Sequence, residues 1–184
     1  MMLDGWTWET ATLKAPAGIH INWPNMGAIR SRYYRITDEE AKERREKTLK
    51  KLDNIFEEAR RYLLAKEASL QSGNTLFDTD LRWESMIPVL KREIPIFMHA
   101  NEIRQIQSAI EWGNRQNIKI IIVGGYDAWR ASDLLKKYEI PVIYETVNSL
   151  PKRRWEDFDT PFTGPLKLYE AGVEFAISMA TGGA

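Results

Sequence analysis

The chain carries two histidines, His20 and His99, and no cysteine, so any metal ligation or proton transfer by soft or near-neutral groups falls to two imidazoles and the carboxylates around them. The lack of cysteine also removes disulfides, thiolate zinc sites and thiol nucleophiles, and leaves the redox compartment open. His99 ends the apolar run Ile94-Pro95-Ile96-Phe97-Met98. An imidazole at the C-terminal end of a strand is placed to act as a metal ligand or general base, and a histidine bonded to neighbouring backbone accounts for it equally. His20 alternates with Ile19 and Ile21, which reads as a solvent-facing or structural side chain.

Other groups with chemical potential follow the apolar runs. Gly124-Gly125 ahead of a helical stretch can offer free N–H groups to a phosphate or carboxylate. A tight strand-to-helix turn explains the pair as well, and the full dinucleotide fingerprint is absent. Asn101 and Glu102 come directly after His99, while Glu145 and Asn148 open a later loop, so all four can line one cavity with Gly124 and Gly125. Glu102 also suits the first turn of the helix that it opens, where negative charge meets the positive end of the dipole. Lys152-Arg153-Arg154-Trp155, then Glu156, Asp157 and Asp159, form a mixed-charge loop of about twenty residues, a length that points to substrate or partner contacts.

The elements that must position these residues are legible from periodicity. Up to about residue 36 the chain is rich in Trp, Ile, Thr and Pro, with a short strand-like alternation at 19–22 that Pro24 ends. Thr37-Asp38-Glu39-Glu40 is a capping box, and Leu49, Leu52, Ile55, Phe56, Ala59, Tyr62 and Leu63 then recur at helical steps, which predicts a long amphipathic helix over 37–71. The dense charge of 42–51 is the solvated face of that helix, and Ser72-Gly73-Asn74 breaks it. From 79 to 178 a short helix near 80–90 precedes four apolar strands, at 94–99, 118–123, 140–144 and 173–177, separated by helices. That alternation means parallel pairing through right-handed crossovers, either as an open doubly wound sheet or as part of a closed barrel. In both, the loops beginning at His99, Gly124, Glu145 and Ser178 gather at one edge.

Length is consistent with a single domain over 1–184. Lysine plus arginine and aspartate plus glutamate stand at 26 each, so no global field draws the chain to nucleic acid or an anionic membrane, and no run approaches the roughly 20 apolar residues of a membrane helix. The expectation is a soluble protein, cytoplasmic by default, with the periplasm open if a signal peptide lies upstream.

The segments Glu93-Ile94-Pro95-Ile96-Phe97-Met98-His99-Ala100-Asn101, Ile121-Ile122-Val123-Gly124-Gly125-Tyr126-Asp127-Ala128-Trp129 and Leu168-Tyr169-Glu170-Ala171-Gly172-Val173-Glu174-Phe175-Ala176-Ile177-Ser178 resemble the amidohydrolase superfamily, in its imidazolonepropionase-like and prolidase-like branch. The resemblance implies a partial TIM-like (β/α) barrel, a divalent metal, most often zinc, and hydrolysis of a C–N bond in a cyclic amide or peptide substrate. Among that family's ligands, His99 takes the position of the fifth-strand histidine. Gly124 stands where the sixth-strand histidine belongs, the first-strand His-x-His has no counterpart, and 179–184 lacks the eighth-strand aspartate. A catalytic zinc takes three protein ligands, and a closed barrel takes eight strands. The expectation is therefore a fragment, or a protomer that completes its sheet with a partner, holding an incomplete metal site. A non-catalytic binding or assembly module, and an anion-binding open α/β domain, stand as alternatives.

Overall fold

The structure, a computed structural model, describes residues 6–27, 37–72, 77–145 and 147–178. The helix-breaking pair Gly73-Asn74, the start and end of the opening segment, and the 179–184 tail where the eighth-strand aspartate was sought lie outside the described residues. In chain order the elements are α1 (Trp8–Ala11), β1 (Ile19–Asn22), α2 (Asp38–Gln71), α3 (Leu81–Glu84), α4 (Ile87–Leu90), β2 (Ile96–Ala100), α5 (Ile103–Gln116) and β3 (Ile120–Gly124). A 3₁₀ turn at Ala128–Ala131, α6 (Ser132–Lys137), β4 (Val142–Tyr144), α7 (Thr160–Glu170) and β5 (Phe175–Ile177) complete them.

All the strands run parallel in one sheet, ordered β1-β2-β3-β4-β5. A doubly wound sheet reverses its strand order at a switch point; a strictly sequential order advances in one direction, as the wall of a (β/α) barrel does. This is a partial TIM-like barrel. The sheet has five strands: the four read from apolar runs and the short strand-like segment Ile19–Asn22, which pairs in parallel with Ile96–His99. The long helix α2 is thus the crossover between β1 and β2.

The sheet has two unlike faces, because successive side chains alternate. Ile96, Met98, Ala100, Ile120, Ile122, Val142 and Tyr144 are buried together with Ile106, Ala109 and Ile110 of α5, Leu135 of α6, Leu168 of α7, and Phe56 and Ala59 of α2. Gly113 lets α5 lie close on the sheet; a Cβ there would meet Ile120 Cγ2 at 2.9 Å.

Thr37 starts α2, its hydroxyl accepting from Glu40 N–H at 3.2 Å while Glu40 accepts from Thr37 N–H at 3.0 Å. At 34 residues the helix is about 50 Å long, far longer than the strands it spans, so only its middle packs on the core. There Asp53 accepts from Trp112 Nε1, Gln116 Nε2 and Arg115, tying α2 to α5. Further along, Lys66 and Tyr62 both donate to Glu84, which fastens α3. The predicted helix near 80–90 is in fact two single turns, α3 and α4, with Pro88 in the first turn of the second.

Candidate active site

The other face of the sheet carries His20 and Asn22 of β1, Phe97 and His99 of β2, Ile121 and Val123 of β3, Ile143 of β4 and Ala176 of β5, which the strand register aligns side by side. Most of these residues are part-exposed or exposed, while Val123 is buried. This is the surface that a closed barrel would turn inward.

The two histidines meet on it. His20 Nδ1 and His99 Nε2 are 2.9 Å apart, and His20 stacks on Phe97 with ring centroids 4.8 Å apart and planes at 22°. His20 is exposed, as its alternation predicted, and it also has a side-chain partner. Its partner is 79 residues away, and only the β1–β2 pairing reveals it. Between two neutral imidazoles such a bond makes one ring the donor and the other the acceptor.

At the strand tips, the backbone bonds Gly125 N–H to Ala100 O, Glu145 N–H to Gly124 O and Ser178 N–H to Tyr144 O join successive strands, so the expected loops do begin along one edge. Gly124 and Gly125 have φ of +92° and +60°, and a Cβ on Gly124 would strike the amide of Asn101 at 2.7 Å. The N–H groups after this turn are spent locally: Gly125 on Ala100, Tyr126 on Asn101 Oδ1, Asp127 on Asn101 O and Ala128 on Gly125. The glycine pair makes the tight turn, and with the sheet sequential rather than doubly wound the anion-binding alternative loses its donors.

A cavity of about 310 Å³ opens at this edge, lined by Asn25, Asn101, Glu102, Gln105, Tyr126, Lys152 and Arg153. It takes in Asn101 and Glu102 as expected, but Glu145 and Asn148 are not among its walls. β4 ends one strand further along, and Asn148 sits exposed in the turn beyond it. A larger cavity, near 380 Å³, lies at the opposite end of the strands among Arg92, Asn117, Tyr138 and Pro141. In a (β/α) barrel the N-terminal end serves stability, so the first is the candidate ligand cavity.

What the sequence did not reveal is how the long loop is held. Arg153 donates both guanidinium nitrogens to Asp127, at 2.7 Å and 2.5 Å, and a third bond to Glu156 at 2.6 Å. Asp127 is 1% exposed and also accepts from Ile103 N–H at the start of α5. Glu156 gathers Tyr126 OH and the N–H groups of Lys152 and Arg153. Burial by itself would raise the Glu156 carboxyl, but these donors outweigh it and hold its pKa below the usual range; burial and then Glu156 push Tyr126 up. The loop between β4 and α7 is thereby riveted to the tips of β2 and β3.

The divalent metal implied by the resemblance needs more than these residues supply. Two imidazoles hydrogen-bonded to each other fall short of three protein ligands, and among the described residues no three His, Cys, Asp or Glu side chains converge.

By sequence, no family model and no curated protein matches the chain. By structure, it is similar to an amidohydrolase from Thermotoga maritima MSB8, with a TM-score of 0.76 over 97% of this chain at 23% identity. The chain covers 45% of that protein, so it spans under half of its length, and at this identity the likeness speaks to the fold.

Proposed function

We propose that these residues form one half of an amidohydrolase-like barrel whose complete form hydrolyses a C–N bond in a cyclic amide or peptide, and that this half is catalytically silent by itself. The observation that carries the reading is the His20–His99 pair, held at 2.9 Å on the face that a finished barrel encloses. A hydrogen-bonded imidazole pair can accept a proton from water or return one to a departing amine, the task of a general acid–base group in such a hydrolysis. The divalent ion implied by the resemblance, zinc foremost, needs its remaining ligands from the completing half.

Calorimetric titration of zinc into the purified chain tests this. Weak binding is expected, weakened by at least about tenfold in His20→Ala and in His99→Ala, with no hydrolysis of a cyclic ureide or a dipeptide. Tight zinc uptake indifferent to both substitutions, or hydrolysis that survives them, overturns the proposal.

A second reading, a non-catalytic module that completes its sheet with another copy of the chain, is favoured by one observation. Phe162, Leu166 and Tyr169 form an exposed stripe on α7 next to exposed Ile177 on β5, whose outer edge pairs with no described strand. Native mass spectrometry that finds only monomer at high concentration excludes it.

A further inference from the structure

The cavity at the strand tips has a charge pattern that the histidine pair does not explain, since neither imidazole is among its walls. Of its lining groups, Arg153 is neutralised by Asp127 and Glu156, Gln105 is engaged with the N–H groups of Asn101 and Glu102 and with Trp23 O, and Tyr126 OH donates to Glu156. Two charges are left over, and they are opposite. Lys152 extends its ammonium to 4.5 Å above the Tyr126 ring, while Glu102 is the N-cap of α5, its side chain completing a capping box with Gln105; among the described residues neither forms an ion pair within 4 Å. The Asn101 and Asn25 amide nitrogens donate to no described residue either.

Opposite charges that share a small cavity and stay apart are suited to a ligand that bridges them. We infer that this cavity binds a small zwitterion, an α-amino acid or the end of a short peptide, with Lys152 and Asn101 taking the carboxylate and Glu102 the ammonium. The riveted loop makes the site specific, because Glu156 accepts from the N–H of Lys152 itself and so fixes the backbone from which the ammonium is presented. Partial burial lowers the pKa of Lys152, which a bound carboxylate would offset. As a ligand site the cavity stands by itself; as a substrate subsite it rests on the hydrolase reading, so the test measures binding alone.

The probes are L-alanine, N-acetyl-L-alanine, which lacks the ammonium, and L-alaninamide, which lacks the carboxylate, titrated into the metal-free chain and followed by NMR. L-Alanine is expected to saturate the site in the millimolar range, and each derivative to bind at least about tenfold more weakly. Lys152→Met is expected to remove the preference for alanine over alaninamide, Lys152→Arg to restore it, and Glu102→Gln to remove the preference over the acetylated form. The derivative series needs no variant, so it decides the matter even if a substitution disturbs folding. Absence of saturable alanine binding, derivatives that bind as well as alanine, or charge-removing variants within about twofold of the parent overturn the inference. Zinc binding and hydrolysis play no part in the readout, so failure here and failure of the hydrolase reading are separate results.

Discussion

Ile121 and Ile122 are neighbours of identical chemistry on β3 with unlike surroundings: Ile122 is fully buried under the helices, whereas Ile121, on the opposite face, lies half-buried. The same contrast runs along the whole sheet. One face is a finished core of Ile, Met, Val and Tyr side chains under helices, and the other mixes His20, Asn22 and His99 with Phe97, Ile143 and Ala176. A fully apolar outer face and a mixed inner one show that the strands are built for two different environments. The first serves folding, and the second carries the two histidines.

The sharpest way to break that comparison is to truncate the twins in turn. Ile122→Ala is expected to cost about 2–5 kcal/mol, the range for emptying a packed core position, read from denaturant unfolding. Arg153→Met comes next, at about 1–3 kcal/mol, because it leaves the buried Asp127 carboxylate with only Ile103 N–H as a described donor. Faster proteolytic cleavage within 145–159 should accompany it; a loop as resistant as the parent's would show that the rivet is not what holds it. Ile121→Ala should cost only about 1 kcal/mol or less, since little area is withdrawn from water there. If it matches Ile122→Ala, the inner face is covered in solution, and the assembly reading gains.

The smallest expected effect is on acidification. Glu156 has a folded-state pKa below its unfolded value, so its contribution to stability is present above the ordinary carboxylate range, near about 4, and is lost as pH falls through the lowered value. Thermal unfolding of the parent should therefore drop more steeply in that acidic window than unfolding of Glu156→Gln. Parallel curves would show that the carboxylate is not held by its donors.

Much of the scaffold was readable in the residues because its signals are local. A threonine three residues before a glutamate opens α2, helical spacing from Leu49 to Leu63 sets its buried stripe, and continuous apolar runs mark β2, β3 and β4. Asn101 and Glu102, next to the end of a strand, were placed correctly at a cavity for the same reason. Glu145 and Asn148 were not, because which loops share a wall depends on the spacing of strands across the sheet and not on distance along the chain. The alternation at 19–22 marked β1, but its place beside β2 was not legible, since its partner lies more than seventy residues away.

The amino-acid order by itself determined which segments become strands and helices, that the strands lie parallel, and that His99 stands near a strand's end, since each follows from period, propensity and short connections. Only the tertiary structure decided that His20 and His99 touch, that Arg153 locks Asp127, and that Lys152 and Glu102 face one cavity without pairing. The physical reason is common to all three: they join residues tens of positions apart, and their geometry is set by strand register and loop closure, quantities that no local window of sequence contains.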